Sequence, residues 1–201
     1  MSDAPLMLSV SGLRGFVGKT ITAEVAALYG SAFGSHLRAS KARPKVVLAR
    51  DSRPSGEAFL SAVASGLAST GCDVIDLGIA MTPTAGVMVQ HHKADGGMVC
   101  TASHNPIEWN GLKCLDSDGV APPPAEAKEI VRRFQQRDLK LQQTAAKVQQ
   151  YRAEVRQATL EDSVARDQLR RRERLFRDTL GLVSVNDLQT FQVRAQAAAA
   201  K

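Results

Sequence analysis

The sequence predicts an α/β fold: a three-layer mixed sheet with helices on both faces, followed by a long helical C-terminal segment. The first observation behind this prediction is an alternation over residues 1–136. Short apolar runs typical of buried strands are followed by segments whose apolar residues recur at helical spacing. The second is a change of composition after Arg137, where Gly and Pro become almost absent and Gln and Arg become frequent. Strand and helix repeated at this spacing indicate a sheet covered by helices.

The strand candidates are short, and residues that favour helix ends separate them from the helix candidates. Pro83 lies in the first turn of one helix, where a missing N–H costs nothing. Gly71 follows another helix at the C′ position that glycine favours. The predicted strands are residues 5–10, 45–49, 73–78, 96–100 and 111–115, and the predicted helices are residues 21–38, 56–70, 82–92 and 122–136.

The last third of the chain is predicted to form one or more long, exposed helices. Leu141, Val148 and Val155 recur at a spacing that places them on one side of a helix. The final residues 192–201 are predicted to fray, because they have little apolar surface to bury. We therefore predict two parts, a domain over residues 1–136 and a helical, basic tail over residues 137–201.

Charge and composition limit the classes of binding partner that are expected for this protein. The net charge of +6 comes from the tail, since residues 1–136 hold thirteen Lys or Arg against twelve Asp or Glu, and residues 137–201 hold thirteen against eight. No nucleic-acid partner is therefore expected, and the arginines of residues 169–177 are interpreted as a solvated helix face. No apolar run reaches the roughly 18 to 20 residues that span a bilayer, so we expect no membrane partner and a cytoplasmic location. The three cysteines lack metal-binding spacing and are predicted to be reduced and mostly buried.

A serine beside a histidine follows the predicted strand at residues 96–100. Ser103 and His104 lie in a turn-forming segment, which would present the hydroxyl at the carboxyl edge of the sheet, where open α/β folds bind ligands. His104 could assist proton transfer or orient a phosphate, and Lys113 could return to this edge along the next strand. Because the same residue types favour an ordinary turn, this segment alone leaves both interpretations open.

Two further segments place charged residues beside the predicted strands. Arg14 lies between glycines, so that backbone can approach a ligand closely while a guanidinium faces an oxyanion. Asp51 and Arg53 come directly after a buried strand and before a helix whose N-terminus favours anions. Each segment alone is typical of a turn with a solvated charge, but three such segments in one sheet favour a site.

Four segments in this order resemble the first domain of the α-D-phosphohexomutases, the superfamily of phosphoglucomutase, phosphomannomutase and phosphoglucosamine mutase. They are SGLRG, VVLARDSRPSG, LGIAMTPT and GGMVCTASHNPIEWNGLK. The resemblance covers roughly residues 1–136. Its strongest part is Thr-Ala-Ser-His-Asn-Pro followed by Asn-Gly-x-Lys, which is a signature and not a common turn.

The resemblance implies an isomerase that moves a phosphoryl group within a hexose phosphate, between its 1- and 6-positions, in carbohydrate metabolism. It implies that Ser103 is the phosphoserine, that the substrate becomes a bisphosphate in between, and that the Ser103 phosphate gives one oxygen to a Mg²⁺ ion. Phosphoryl transfer needs in-line positioning and neutralised oxyanions, which agrees with these residue types. Catalytic roles are assigned to Ser103, His104, Lys113 and Arg14, and phosphate or substrate binding to Arg14, Arg53, Asn105 and Asn110.

Other features of that superfamily have no counterpart in this sequence. The loop with three carboxylates that holds Mg²⁺ is absent, and Asp116 to Gly119, the only Asp-x-Asp, is interpreted as a turn. We therefore expect a truncated or frame-altered chain with little or no turnover by itself. The alternative is a non-catalytic module that binds sugar phosphates weakly, or that pairs with a partner chain or with itself through the C-terminal helices.

Overall fold

The fold is described from a computed structural model, which describes residues 5–182, with side chains described for residues 5–175. Six strands and four helices alternate along this part of the chain. In chain order they are β1 (Met7–Ser9), β2 (Gly12–Phe16), α1 (Ala23–Leu37), β3 (Lys45–Arg50), α2 (Gly56–Ser69), β4 (Asp73–Ile79), α3 (Thr82–His91), β5 (Gly96–Cys100), β6 (Trp109–Leu115) and α4 (Pro124–Leu182).

All six strands form one mixed sheet in the order β1-β2-β6-β5-β3-β4. The strand β3 runs parallel to both β4 and β5, whereas β1, β2, β6 and β5 pair antiparallel. The carboxyl ends of β3 and β5 therefore lie at the same edge, where Arg50 pairs with Cys100. The loops that follow these two strands meet at this edge.

Helices cover both faces of the sheet, as the sequence predicted. One core cluster includes Leu13, Leu112 and Met98 from the strands and Phe134 from α4, together with apolar residues of α1 and α2. The helix α3 packs on the opposite face against β3 and β5. Because side chains alternate along a strand, the residues next to Leu13 and Leu112 point to the face on which α3 lies.

Local chemistry fixes several helix ends. Thr22 caps α1, since its side-chain oxygen accepts a hydrogen bond from the amide of Val25 at 3.2 Å. Pro83 lies in the first turn of α3, as predicted. Gly71 follows α2 with a φ of +82°, the left-handed conformation predicted for it.

The strand β2 was not among the predicted strands. Its sequence, GLRGF, has two glycines and no β-branched residue, so its composition indicates a loop. Pairing overrides that preference, since β2 is bonded to β1 on one side and to β6 on the other. Arg14 therefore projects from the middle of a strand and not from a loop.

The predicted helix at residues 122–136 and the predicted tail helix are one continuous helix, α4. The described chain divides into two compact units that meet between Gln143 and Thr144, while α4 itself continues through residues 136 and 137. All side chains from residue 141 to residue 175 are exposed. The fraying predicted for residues 192–201 lies outside the described residues, and within residues 5–182 no helix combines the length and apolar character that a bilayer crossing requires.

Candidate active site

The loop after β5 holds Ser103 in an exposed and unusual backbone conformation. Ser103 has a φ of +58°, a left-handed conformation that is uncommon for residues other than glycine. Its amide donates a hydrogen bond to the Thr101 hydroxyl oxygen at 3.0 Å, and the Thr101 hydroxyl donates to the Asp51 carboxylate at 2.7 Å. These two bonds join the serine loop to the loop after β3.

His104 lies beside the serine, as its position in the sequence requires. Its Nδ1 atom is 3.3 Å from the Ser103 hydroxyl oxygen, and both side chains are exposed. When the imidazole carries its proton on Nε2, the Ser103 hydroxyl can donate to Nδ1. The histidine can therefore hold a proton at the serine oxygen.

Arg14 and Lys113 lie on the face of the sheet on which α3 packs. Lys113 is opposite Gly12 and Arg14 is opposite Gly111 in the pairing of β2 with β6, so a glycine leaves space beside each cation. Both side chains are half-buried and line a cavity of about 170 Å³ together with Thr101. Among the described residues, neither cation has a hydrogen-bond or ion-pair partner, so this cavity offers two unneutralised positive charges to an anion.

The cavity and the serine loop share Thr101. This residue lines the cavity that contains the two cations, and it also accepts the hydrogen bond from the Ser103 amide. Sequence reasoning did not identify Thr101 as a site residue. The signal was available, because a Thr hydroxyl that bonds the amide two residues later is a recurrent turn pattern.

The Arg53 side chain is largely buried, and its polar atoms bond the protein itself. Its guanidinium donates to the Asp51 carboxylate and to backbone carbonyls of the serine loop, and only 11% of the side chain is exposed. The backbone acceptors are the carbonyl oxygens of Ser103, Asn105 and Pro106 in the loop and of Trp109 at the start of β6. Phosphate binding by Arg53 stays a prediction, and the observed contacts are all to the protein itself.

The two predicted asparagines also turn their amides towards the protein. The Asn105 amide nitrogen donates to the carbonyl of Ala102 at 2.7 Å, within the loop. Asn110 is completely buried; its nitrogen donates to the Ser55 hydroxyl at 2.8 Å, and its oxygen accepts from the Gly111 amide at 2.8 Å. Substrate contacts by these residues stay predictions, while their observed role is to join loops and strands.

The cysteines near the site are neutral. Burial, with the nearby Asp51 carboxylate as the second cause, raises the pKa of the Cys100 thiol to about 12. Burial also raises the pKa of Cys114 to about 12. All three cysteines are free and buried, as predicted, so none is poised as a thiolate nucleophile.

Together these features define an α/β/α domain with an exposed serine in a loop whose Thr101 also lines a cavity of two cations. These cations have no partner among the described residues, which suits a carrier of phosphoryl groups. Residues 6–141 match the family model for phosphoglucomutase/phosphomannomutase, alpha/beta/alpha domain I. The chain therefore belongs to the phosphoglucomutase/phosphomannomutase family, and the resemblance seen in its motifs is confirmed.

Curated relatives agree with this family assignment. A phosphoglucomutase/phosphomannomutase of Thermococcus kodakarensis is 53% identical over 110 residues, which cover 54% of this chain and 24% of the relative. A Methanopyrus kandleri protein named "Probable phosphoglucosamine mutase" is 45% identical over 120 residues, which cover 60% of this chain and 26% of the relative. The chain thus spans about a quarter of the length of these relatives.

Solved structures match about two thirds of this chain. A phosphoglucomutase/phosphomannomutase family protein from Burkholderia thailandensis superposes with a TM-score of 0.58 and 34% identity over 66% of this chain and 31% of that chain. The phosphoglucomutase parafusin from Paramecium, at 18% identity and a TM-score of 0.52, supports the fold alone.

A Mg²⁺ ion, which this family typically uses, does not fit the described residues by themselves. The carboxylate bonded to the serine loop is that of Asp51, and its oxygens accept hydrogen bonds from Arg53 and Thr101. Among the side chains of residues 5–175, no group of three or more His, Cys, Asp or Glu is placed to hold a metal ion. The predicted metal contact through a Ser103 phosphate stays a prediction, and its remaining ligands would lie outside these residues.

Proposed function

We propose that this chain carries the phosphoserine part of a phosphohexomutase, which moves a phosphoryl group between the 1- and 6-positions of a hexose phosphate through a bisphosphate intermediate. The observation that carries the proposal is the position of Thr101, which lines the cavity of Arg14 and Lys113 and binds the Ser103 amide. Thr101 thus belongs both to the loop that carries the exposed hydroxyl and to the cavity of the two cations, which have no partner among the described residues.

The chemistry at Ser103 is a reversible phosphoryl transfer. In one direction the bond between phosphorus and Ser103 Oγ breaks, a bond between phosphorus and a sugar hydroxyl oxygen forms, and the proton of that hydroxyl ends on Ser103 Oγ. His104 Nδ1, at 3.3 Å from this oxygen, is placed to hold the proton. Arg14 and Lys113 neutralise charge on the phosphoryl oxygens, which is the main electrostatic requirement of the transfer.

The complete reaction places further demands on binding. Orientation of two reacting groups can supply roughly 7 to 11 kcal/mol of barrier reduction, and the sugar must be held in two alternative positions. The described residues provide the phosphoryl carrier and two cations. We therefore propose that this chain by itself accepts a phosphoryl group on Ser103 but isomerises hexose phosphates slowly or not at all.

We also propose a cytoplasmic location, since three free cysteines fit a reducing compartment.

Phosphorylation of Ser103 can be measured directly. The purified chain is incubated with glucose 1,6-bisphosphate, and tandem mass spectrometry locates the added phosphoryl group. We expect it on Ser103, absent in Ser103→Ala and retained in Ser52→Ala, a matched exposed serine in the loop after β3. Phosphate on another residue, or uptake that survives Ser103→Ala, would contradict the proposal. A coupled assay for glucose 1-phosphate isomerisation with the same primer separates phosphoryl uptake from turnover.

A second candidate function is association through α4. Leu141, Val148 and Val155 are exposed and seven residues apart, a spacing typical of helices that pair with another helix. We infer a contact with a second copy of the chain, or with a partner chain, along this side. Sedimentation of the full chain and of a chain ending at Gln143 tests it: only the full chain is expected to associate, and equal monomeric behaviour would contradict it.

A further inference from the structure

We propose that Arg53 is a positioning residue, which fixes the Ser103 loop through its side chain and does not bind the transferred phosphoryl group. The proposal about loop geometry stands on the described contacts alone. Its consequence for catalysis rests on the proposed function, because it concerns how Ser103 is presented to a hexose phosphate.

The guanidinium of Arg53 has no donor left for a ligand. An arginine side chain carries five N–H groups in a planar fork. The Nε group donates to Asp51 at 3.1 Å. One terminal nitrogen donates to the carbonyls of Pro106 at 2.7 Å and Trp109 at 3.0 Å, and the other to those of Ser103 at 3.0 Å and Asn105 at 2.7 Å. All five N–H groups therefore have acceptors within the protein.

The Asp51 carboxylate holds the arginine in this position. One carboxylate oxygen accepts from the Arg53 amide at 3.1 Å, and the other accepts from Arg53 Nε and from the Thr101 hydroxyl. The loop after β3 and the loop after β5 thus form one hydrogen-bonded unit. Its charges are internally balanced, and Arg53 is largely buried within it.

The serine loop needs such support because it has little regular structure of its own. Between β5 and β6 the chain makes short turns, with backbone bonds from the Asn105 amide to Ala102 and from the Trp109 amide to Pro106. Ser103 sits there with a positive φ, which is unfavourable for a residue with a side chain. Hydrogen bonds from the charged Arg53 guanidinium to four backbone carbonyls offset that cost.

This role differs from the phosphate contact expected from the sequence, and a charge-conserving substitution separates the two. Lysine keeps the positive charge but offers three donors from one point, so it cannot bridge four carbonyls arranged around a planar fork. If Arg53 served only as a phosphate cation, Arg53→Lys would leave the exchange of the loop amides unchanged. If it is the support of the loop, Arg53→Lys loosens the loop while the charge stays.

The test measures amide hydrogen exchange by NMR in the full chain. In Arg53→Lys we expect the amides of Ser103, Asn105 and Trp109 to exchange at least about tenfold faster than in the wild type, because they bond within the loop. Amides of the core strands β3 and β5 should not change. Arg43→Lys is the matched control, since Arg43 makes an exposed ion pair with Asp73 away from the loop. Unchanged loop amides in a folded Arg53→Lys protein would overturn the proposal.

A wild-type measurement decides the matter if the variant fails to fold. In the wild type, rotation of the Arg53 guanidinium should be slow enough to give separate NMR signals for its terminal N–H protons. In a second measurement, added inorganic phosphate should shift the side-chain NMR signals of Arg14 and Lys113 but not those of Arg53. Averaged Arg53 signals that move on phosphate addition would overturn the proposal.

Under the proposed function, Arg53→Lys also slows phosphoryl uptake by Ser103 at least about tenfold. If the wild type takes up no phosphoryl group, the proposed function fails while the exchange result still stands.

Discussion

The polar residues that the sequence predicted for the site divide into two kinds according to their observed exposure and contacts. Ser103 and His104 are exposed and can meet a ligand, whereas Arg53 and Asn110 are turned inwards and bond the protein itself. Under the proposed function, the inward residues would matter because in-line transfer tolerates little displacement of the reacting oxygen. A residue can therefore belong to a motif of this family while all its observed contacts are to the protein itself.

Asn110 provides a test of this division. Replacing it with Ala leaves the Ser55 hydroxyl and the Gly111 amide without their buried partner. We expect Asn110→Ala to lower the free energy of unfolding by roughly 1 to 3 kcal/mol, the cost of unsatisfied buried groups. Urea unfolding measures it as a lower midpoint at constant slope.

Two further variants isolate the contact made by Asn110. Ser55→Ala and the variant with both Asn110→Ala and Ser55→Ala complete a double-mutant cycle. We expect the losses in free energy of unfolding to be less than additive by about 0.5 kcal/mol or more, because the two residues share a hydrogen bond. Asn105→Ala should cost less than Asn110→Ala, since it is half-buried and bonds only within its loop. An Asn110→Ala protein as stable as the wild type would show that this amide contributes nothing to the fold.

At the level of elements, the sequence predicted those that local pattern and composition determine. The helices and the buried strands β3 and β5 follow from apolar spacing, and Ser103 was correctly placed in the loop after β5. The strand β2 could not be predicted, because GLRGF becomes a strand only through its pairing with β1 and β6. The partners of Arg53 could not be predicted either, since carbonyls fifty and more positions away are brought to it by the tertiary fold.

The contact between α1 and α2 depends on glycine. A Cβ atom added to Gly66 would lie 2.1 Å from the carbonyl oxygen of Ala27, so the two helix backbones touch at this point. In an exposed helix, Gly to Ala stabilises by about 1 kcal/mol. Here we expect Gly66→Ala to destabilise by roughly 1 to 3 kcal/mol, the usual cost of overpacking, because backbone must move apart.

Thermal unfolding followed by circular dichroism measures this effect. Ser61→Ala is the matched control, because it also introduces Ala into α2 but on the exposed side of the helix. Its stability should stay within about 0.5 kcal/mol of the wild type. A Gly66→Ala protein that is more stable than the wild type would mean that α1 and α2 do not touch as described.

For the whole molecule, the important boundary lies within α4 and not at either of its ends. Its first turns bury Ala127, Ile130 and Phe134, the last two in the main core cluster. Every side chain from residue 141 to residue 175 is exposed. The family match likewise ends at residue 141. The folded domain therefore needs the beginning of this helix, and the exposed remainder contributes little to its stability.

Two shortened chains test that division. A chain ending at Gln143 keeps the three buried residues of α4, so we expect its free energy of unfolding in urea to lie within about 0.5 kcal/mol of that of the full chain. A chain ending at Pro123 loses Ile130 and Phe134 from the core. Removing one such side chain typically costs roughly 2 to 5 kcal/mol, so losing both approaches the total stability of about 5 to 15 kcal/mol that native domains have. This shorter chain should be largely unfolded, with lost near-ultraviolet circular dichroism. The division would be contradicted if the chain ending at Gln143 were several kcal/mol less stable than the full chain, because the exposed part of α4 would then be needed for folding.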